Sequence, residues 1–345
     1  MPADQNKRVT LNDVAERSGY ALRTVKKVLA GEPVYERTRS AVLHAARELG
    51  YQKNYISSAL AKGKDTKVVV IYSETTKAYF PEVERGFRRF AEDTRDFGYE
   101  LEIRKCYTKS VEEQAEAIRE VIADGSVNGL IIQPQSATKL NPLIESFTCS
   151  GRPLITFGAD AMTDHKLCYI GPNAYKAGRI GCQILANYIG KQGNVFTINQ
   201  VHEHMQTKER KRGFLDMVKE YYPGIHPFEL NIPDNSNLYY EMVKAAIVDE
   251  GLRGLFCTDA DSYIAGEVLR DLGRKDIVVV GFDLSEMGEQ LMKEGYLKVM
   301  IEQRPELFSY QAARAMFNYL YYNETPEKIQ YSDLAIITSE CLMDY

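Results

Sequence analysis

The sequence lacks the patterns that would place it in several familiar classes of protein. No run approaches the roughly 18 consecutive apolar residues that a membrane-spanning helix needs, so we expect none. The first ten residues, MPADQNKRVT, lack the apolar core of a secretory signal. The phosphate-binding loop, the serine-hydrolase elbow and the HExxH zinc motif are also missing. No motif therefore indicates an enzyme.

Cysteine and histidine are sparse and offer little chemistry. The six cysteines contain no Cys-x-x-Cys pair, and in a chain of 345 residues they are typical of reduced, mostly buried thiols in a cytoplasmic protein. His202 and His204 alternate in the segment VHEH and could face one metal ion. No third ligand is evident, so a solvated pair of loop residues is the preferred interpretation. We expect no metal and no cofactor.

Charge is acidic in total but unevenly distributed. The 43 Lys and Arg residues and 48 Asp and Glu residues give a net charge of −5, which summed over the chain argues against a nucleic-acid partner. Residues 1–64, however, carry a net charge of +6, and residues 65–345 carry −11. A small basic head followed by a large acidic body indicates an appendage that binds an anion.

The basic head has the pattern of three short helices. Thr10 and Asp13 have the spacing of a capping box, which begins a helix that ends near Gly19. Apolar stripes predict further helices over about residues 22–29 and 36–49. The outer face of the second helix carries cations: Arg23, Lys26 and Lys27.

A tight turn before a cationic second helix is typical of a helix-turn-helix. The second helix would enter the major groove of DNA, where Arg23 can reach the edge of guanine. The residues alone leave a second interpretation open, which is a solvated basic face on an ordinary helical bundle.

Four spaced patterns follow one another in the head. From residue 9 to residue 64 they are T-x-x-D-V-A-x-x-[SA]-G, T-V-x-x-V-L-x-G, T-R-x-x-V-x-x-A-x-x-E-L-G-Y and N-x-x-x-x-x-L. Together they closely resemble the head of LacI-family transcription regulators. The resemblance implies contacts with DNA base edges for Leu22, Arg23 and Lys27, and with backbone phosphates for Thr10, Thr24 and Lys26.

Residues 54–62 resemble the hinge helix of the same family. The resemblance implies that this helix orders on operator binding and lies in the minor groove, with Asn54, Ser57 and Leu60 as candidate contacts. Leu60 matches the leucine that wedges between base pairs and bends the duplex. A lone leucine in a linker is otherwise an ordinary surface residue, and its spacing from Asn54 favours the wedge.

From residue 65 onward, short apolar runs alternate with helical stretches. Runs such as VVVIYS, GLIIQP, NVFTIN and IVVVGF are nearly continuous, which is typical of parallel strands buried on both faces. They fall into two similar half-sets. This predicts two doubly wound α/β subdomains with a ligand cleft at the carboxyl ends of their strands.

Four stretches of the body carry a second resemblance. NAYKAGRIG, KERKRGF, VVVGFD and MIEQRP occur in the order found in the periplasmic-binding-protein-like domain that the LacI family shares with ribose-type sugar-binding proteins. The resemblance implies three chain crossings between the subdomains, near residues 171, 302 and 334. We thus expect an all-α helix-turn-helix head joined to a periplasmic-binding-protein-like α/β body of two parallel-sheet subdomains. The expected boundaries are 1–52 for the head, 53–64 for the hinge, 65–345 for the body, 65–171 with 303–334 for the N-subdomain, and 172–302 with 335–345 for the C-subdomain.

Residues just after strand ends are the candidates for effector binding: Phe80, Asp160, Lys208, Asp261, Asp283 and Gln303. Phe80 could stack on a sugar face, and the aspartates could accept hydrogen bonds from hydroxyls. Lys208 and Gln303 fall where the family places a ligand-binding arginine and a pocket glutamine. Asp160 and Asp261 could equally well cap helices. A polyol suits a carboxylate-rich cleft, because buried charge needs partners.

These patterns predict a homodimeric regulator, most simply a repressor, that binds double-stranded operator DNA and responds to a sugar or polyol. A two-fold dimer would read a near-palindromic site. The alternatives are a stand-alone sugar-binding protein, which would need a signal sequence and no basic head, and a hydrolase or kinase, which no motif supports. A regulator with a protein corepressor, as in catabolite control, also remains, although the polar pocket set disfavours it.

Overall fold

Two compact units, one within residues 1–62 and one within residues 63–345, make up the computed structural model. The structure describes residues 9–29, 34–49, 66–74, 79–108, 110–200, 204–233, 236–248 and 251–343. Four residues of the predicted sites lie outside the described residues: Asn54, Ser57, Leu60 and His202. In the part of the chain that is described, no helix is both long enough and apolar enough to cross a membrane.

The smaller unit has three helices over its described residues: α1 (Leu11–Ser18), α2 (Leu22–Leu29) and α3 (Glu36–Glu48). Helix α1 begins with a capping box, in which the backbone N–H of Thr10 donates to Asp13 Oδ2 at 2.6 Å. It ends at Gly19, whose φ of 72° is the left-handed conformation that glycine adopts without strain. Valines from the three helices, at positions 14, 25 and 42, are fully buried against one another. This core fixes α2 so that its cationic face is left outside.

The larger unit contains two six-stranded sheets. The strands of the first sheet are β1 (Thr66–Ser73), β2 (Tyr99–Cys106), β3 (Val127–Ile132), β4 (Leu154–Phe157), β5 (Cys168–Pro172) and β11 (Ile329–Ser332), in the order β11-β5-β4-β3-β1-β2 and all parallel. Its helices are α4 (Tyr79–Asp93), α5 (Val111–Ala123), α6 (Asn141–Thr148) and α12 (Pro305–Tyr322), with a 3-10 turn at Arg95–Phe97.

The second sheet repeats this arrangement in the C-subdomain. Its strands are β6 (Gly193–Gln200), β7 (Ile225–Ile232), β8 (Leu252–Cys257), β9 (Val278–Phe282), β10 (Val299–Glu302) and β12 (Ala335–Ile337), in the order β12-β10-β9-β8-β6-β7. Its helices are α7 (Ala174–Tyr188), α8 (Met205–Tyr221), α9 (Ser236–Ala246), α10 (Ser262–Asp271) and α11 (Glu286–Lys293), with a 3-10 turn at Ser339–Leu342. Strand β12 pairs antiparallel with β10, while the other pairs in this sheet are parallel.

Helices cover both faces of each sheet, which explains the apolar runs in the sequence. The last six residues of β1 and all of β9 are buried. The side chains on both faces of each strand must therefore be apolar or hydrogen-bonded. The prediction of two α/β subdomains with parallel sheets is confirmed. The chain passes from the first sheet to the second after β5, returns after β10, and crosses again after β11.

Two glycines allow helices α7 and α8 to pack backbone against backbone. A Cβ atom on Gly178 would lie 1.9 Å from the carbonyl oxygen of Arg210, and one on Gly213 would lie 2.0 Å from that of Tyr175. Both distances are far below van der Waals contact. The pair therefore sets the position of α8, and with it the side chains that α8 presents to the interior.

We expect Gly178→Ala to lower the free energy of unfolding by about 1–3 kcal/mol, because the new methyl group forces α7 and α8 apart. Denaturant unfolding of the full-length protein measures the change. Gly125→Ala is the matched control, because nothing lies within 4 Å of a Cβ atom at that position. Equal stability of the two variants would show that the two helices do not need this close approach.

Candidate functional site

A cavity of about 100 Å³ lies where the carboxyl ends of strands from the two sheets meet. The first subdomain contributes Tyr79, Phe80 and Gln133 to its wall, and the second contributes Gln200, Gln206, Arg210, Asp259, Asp261 and Asp283. Gln303, in the crossing after β10, also lines it. Four residues of the predicted pocket are thus brought together: Phe80, Asp261, Asp283 and Gln303. We call this cavity the cleft.

The wall from the first subdomain is aromatic. The ring of Phe80 stacks on Tyr72 with 5.4 Å between centroids and 5° between planes, and Tyr79 meets Phe80 edge-on at 4.9 Å. Gln133 Nε2 donates to the Tyr79 hydroxyl at 3.3 Å. These contacts hold Phe80 as part of a rigid wall against which a flat apolar face can pack.

Arg210, and not Lys208, is the basic residue of α8 that lines the cleft. Lys208 is exposed and outside the cleft, whereas Arg210 is 4% exposed and lines it. Arg210 lies three residues before Gly213 on α8, so both face the interior, and Lys208 is turned away by the helical period. The spacing from the glycine in KERKRGF was the signal that could have identified Arg210.

The guanidinium of Arg210 has fixed neighbours. Nη1 donates to the carbonyl oxygen of Thr258 at 2.8 Å, and the guanidinium carbon lies 3.8 Å from the centroid of the Phe282 ring. Burial lowers the pKa of Arg210, and the negative charge of Asp283 raises it. The group is therefore held in place before any ligand arrives.

Asp283 and Gln303 form the polar floor of the cleft. Gln303 Nε2 donates to both carboxylate oxygens of Asp283, at 2.8 and 2.6 Å. Asp283 has a φ of 58°, a left-handed conformation that is uncommon outside glycine and that aspartate tolerates better than most residues. Burial raises the pKa of Asp283, and the charge of Arg210 opposes that rise.

Glu302 lies beside this floor. Its Oε1 accepts a hydrogen bond from the backbone N–H of Leu284. Burial raises the pKa of Glu302, and the nearby charge of Asp283 raises it further. At the second crossing a buried carboxyl group, Asp283, and a partly buried one, Glu302, therefore compete for ionisation.

A second pair of carboxylates follows β8. Asp261 precedes α10 and lines the cleft, where it accepts a hydrogen bond from Gln200 Nε2 at 2.5 Å; its side chain makes no capping bond to α10. Asp259 Oδ1 accepts from the backbone N–H of Asp261 at 3.1 Å. The sequence reasoning missed Asp259, although it follows the buried strand even more closely than Asp261 does.

Asp160 is not in the cleft. It lines a neighbouring cavity of about 320 Å³ together with Tyr169, Tyr331 and Gln206. Its Oδ1 accepts from the Thr156 hydroxyl at 2.6 Å and from the backbone N–H of Ala161 at 2.8 Å, so it holds its own loop. Asp160 therefore lies apart from the four predicted residues that meet in the cleft. It caps no helix either, because no helix begins in the described segment between β4 and β5.

Three buried polar atoms in the cleft have no hydrogen-bond partner among the described residues: Gln133 Oε1, Gln206 Oε1 and Arg210 Nε. Buried polar groups in native proteins are nearly always paired, so three orphans around one cavity indicate a place for a polar ligand or water. Gln206 also joins the subdomains, because its Nε2 donates to the Gly158 carbonyl oxygen and to the Tyr169 hydroxyl of the first subdomain. Neither glutamine was among the predicted site residues, although Gln133 directly follows β3.

Within the described residues, no group of three or more His, Cys, Asp and Glu side chains is arranged to hold a metal ion. His204 lines the cleft.

The smaller unit presents a cationic helix face. Arg23, Lys26 and Lys27 are exposed on α2 at the i, i+3 and i+4 spacing that places them side by side. Leu22 is 37% exposed at the start of the same helix, and Thr24 is partly buried. Thr10 is exposed, and its hydroxyl donates to Asp13 Oδ2 at 2.7 Å. The six residues predicted to contact DNA are thus at or near the surface of this unit.

The two sheets and the cleft between them define the larger unit as an α/β binding protein of two subdomains. Residues 68–324 match the family described as the periplasmic binding protein domain. The chain therefore belongs to that family.

Individual relatives include both a repressor and a sugar-binding protein. The sucrose operon repressor of Pediococcus pentosaceus is 24% identical over 305 residues, covering 86% of this chain and 87% of the relative. The ribose import binding protein RbsB of Salmonella typhimurium is 23% identical over 256 residues, covering 72% and 82% of the two chains. The solved structure of GanP, a glucose-galactose binding protein from Geobacillus stearothermophilus, has a TM-score of 0.74 at 20% identity, covering 81% of this chain and 99% of that one.

The raised pKa of Glu302 predicts a stability that depends on pH. The folded protein holds this proton more tightly than the unfolded chain, where the pKa is about 4.3. The resulting stabilisation is complete below that value and is lost as the pH rises through the folded pKa. Glu302→Gln keeps an oxygen that can accept from Leu284, and it should be more stable than the wild type at pH 8 by on the order of 1 kcal/mol. The advantage should shrink toward pH 5.

Denaturant unfolding at pH 5 and pH 8 measures both values. Glu327→Gln is the control, because Glu327 is exposed and its variant should show no such dependence. An unchanged or lower stability of Glu302→Gln at pH 8 would contradict the assignment of a costly buried charge to this position.

Proposed function

We propose that this chain is a LacI-family transcription regulator, most simply a repressor, that binds operator DNA through α2 and is controlled by a sugar or polyol in the cleft. The observation that carries the proposal is the presence, in one chain, of a cationic exposed helix face and a ligand-binding body. The match to the sucrose operon repressor supports it, because that relative is a repressor and the match covers 86% of this chain.

In the proposed complex, α2 lies in the major groove. Arg23 and Lys27 reach base edges, where Arg can bond guanine through two parallel hydrogen bonds and Lys only as a point charge. Leu22 offers an apolar contact to a base. Thr10, Thr24 and Lys26 bind phosphates, which supplies affinity and register without sequence information.

The linker after the head is proposed to contribute the remaining DNA contacts. Asn54, Ser57 and Leu60 would enter the minor groove, with Leu60 as the wedge between base pairs. Such a wedge bends the duplex and brings more of it against the protein. The proposed form is a homodimer on a near-palindromic operator, located in the cytoplasm with the nucleoid.

Effector control follows from the position of the cleft between the two subdomains. A ligand that pairs with Gln133 of the first subdomain and Arg210 of the second stabilises one relation of the subdomains over others, and it shifts their equilibrium by its differential affinity. Gln206 already bonds across this boundary. The coupling is reciprocal, so bound operator changes effector affinity by the same factor.

Other functions are to be weighed against the proposed one. A sugar-binding protein without a DNA target shares the fold and several relatives, and it differs in having no use for the cationic face of α2. A regulator with a protein corepressor would leave the cleft unused, which the three orphaned polar atoms there disfavour. A hydrolase or kinase finds no support among these relatives, which are binding proteins and regulators.

The decisive experiment selects DNA ligands for the full-length protein from a random duplex library and then titrates the selected site in the presence and absence of effector. We expect a near-palindromic site and a change in its affinity when a sugar or polyol, found by thermal shift, saturates the protein. Binding with no sequence preference would remove the regulator proposal. Specific binding that every stabilising sugar leaves unchanged would remove the effector switch.

Arg23→Ala should cost about 1–3 kcal/mol of discrimination between the selected site and its single-base variants, if Arg23 reads a base edge. Fluorescence anisotropy at constant salt measures both affinities. Arg37→Ala removes the same charge from the exposed surface of α3 and should weaken binding equally for all sequences. A matching loss of discrimination in both variants would take Arg23 out of the set of base-reading residues.

A further inference from the structure

The neighbouring cavity, of about 320 Å³, is larger than the cleft and lies beside two of the chain crossings. Pro172 and Asn173, at the first crossing, form part of its wall. Ile329 and Tyr331 belong to β11, which leads into the third crossing, and they line the same cavity. Small-molecule sites in proteins occupy roughly 300–1,000 Å³, so this cavity has room for a small ring compound.

Helix α8 stands between this cavity and the cleft. Met205, Glu209 and Arg212 follow the i, i+4, i+7 spacing of one helix face, and all three line the neighbouring cavity. Arg210 lines the cleft, from another face of the same helix. Gln206 lies between these faces and, among the described residues, is the one that the two walls share.

A hydrogen-bonded partition lies next to Gln206. Its Nε2 donates to the Gly158 carbonyl oxygen and to the hydroxyl of Tyr169, which lines the neighbouring cavity. On the other side, a Cβ atom on Gly158 would lie 2.9 Å from the hydroxyl oxygen of Tyr79 and 3.0 Å from Nε2 of Gln133. Both of those side chains line the cleft. The two cavities are therefore separate spaces with one wall in common.

The charged side chains of the neighbouring cavity already have partners of opposite charge. Arg212 Nε donates to both carboxylate oxygens of Glu209, at 3.1 and 3.2 Å. Nη1 of the same arginine lies 3.7 Å from Asp216 Oδ2. Lys166 Nζ lies 3.4 Å from Asp160 Oδ1. A charged ligand would have to displace one of these pairs or lose its water without compensation, so the wall favours an uncharged compound.

Aromatic and apolar side chains supply much of the remaining wall. The rings of Tyr169 and Tyr331 meet edge to face, with 6.4 Å between centroids and 71° between planes. The guanidinium carbon of Arg212 lies 4.2 Å from the centroid of the Tyr175 ring, and both side chains line the cavity. Ile329 and Tyr331 lie on the same face of β11 and are 49% and 57% exposed. Adjacent apolar groups left exposed beside a cavity are typical of binding sites, and a flat ring would cover them.

The wall also offers hydrogen-bond acceptors. Gln206 is 7% exposed, and its Oε1 has no hydrogen-bond partner among the described residues. The hydrogen bonds that the Asp160 carboxylate accepts, from Thr156 and Ala161, both use Oδ1. Because buried amides are nearly always paired and Gln206 belongs to both walls, its orphaned oxygen bears on this cavity as well as on the cleft. A ligand with donors at its edge suits such a wall.

We propose that the neighbouring cavity is a second small-molecule site, separate from the cleft, for an uncharged compound with a flat ring face and hydrogen-bond donors at its edge. The ring packs against Tyr169 and Tyr331, and an edge donor pairs with Gln206 Oε1. A heteroaromatic amine or amide and an uncharged monosaccharide share this chemistry. Such a compound touches both subdomains and two of the three crossings. The proposal holds whatever ligand occupies the cleft.

Calorimetry on the full-length protein with matched probes tests the proposal. Adenine is compared with purine, which lacks the amino group, and nicotinamide with nicotinate, which carries a negative charge. D-Glucose and D-galactose, each compared with its uronate, represent the sugars. We expect adenine, nicotinamide or one of the two sugars to bind about fivefold or more tightly than its matched partner, which is the typical value of one hydrogen bond.

Tyr331→Ala shows whether the bound probe occupies this cavity. The variant removes a partly exposed ring from the wall and should weaken the probe by about fivefold or more. Ile329→Ala should weaken it as well, which separates the loss of wall surface from a local change caused by the first variant. Tyr107→Ala is the matched control, because Tyr107 is 71% exposed and belongs to neither wall. It should leave the affinity unchanged.

Three results would overturn the proposal. In the first, none of the probes binds. In the second, every bound probe keeps its affinity in Tyr331→Ala and Ile329→Ala and loses it in Asp283→Asn, which assigns it to the cleft. In the third, nicotinate or a uronate binds more tightly than its uncharged partner. None of these results touches the proposed function, which depends on the cleft and on α2 and is tested with operator DNA.

Discussion

The burial of Asp283 is the constraint around which the cleft is organised. A carboxylate out of water must be paired, and here Gln303 donates to both of its oxygens while Arg210 supplies the opposing charge. Gln303 comes from a chain crossing and Arg210 from α8, so pairing one buried charge ties together a strand end, a crossing and a helix. The glycine contact between α7 and α8 sets how deeply the guanidinium reaches.

The fold itself brings the polar residues of the cleft together. Parallel strands covered on both faces place all their carboxyl ends at one edge, and two such edges facing each other create a polar site without a dedicated loop. Gln133, Asp259 and Asp283 each follow a buried strand by one or two residues. The smaller unit uses a different solution, because a core of a few valines suffices to hold one helix face outward.

Sequence patterns anticipated the body better than the site. Continuous apolar runs located β1, β3, β6 and β9 because burial on both faces leaves a strong signal, whereas β7 is largely exposed and gave only a weak run near Phe228. The rule of looking after strand ends selected Asp261 and Asp283, and both line the cleft. It also selected Asp160, which bonds within its own loop and lines the neighbouring cavity. Lys208, selected from the family pattern, is exposed, and Arg210, two residues further along α8, lines the cleft instead. Gln133 directly follows β3 and so fits the same rule, although it was not among the candidates. Gln206 lies inside α8, where that rule does not apply.

The three crossings have a mechanical consequence. They lie side by side, because Ser332 pairs with Pro172 at the end of the first sheet and Ala335 pairs with Glu302 in the second. Two bodies joined by one linker can bend and twist in any direction, but three adjacent linkers suppress twisting and leave rotation about a single line. Three adjacent crossings would therefore restrict any change in the angle between the two subdomains to rotation about the line that joins them.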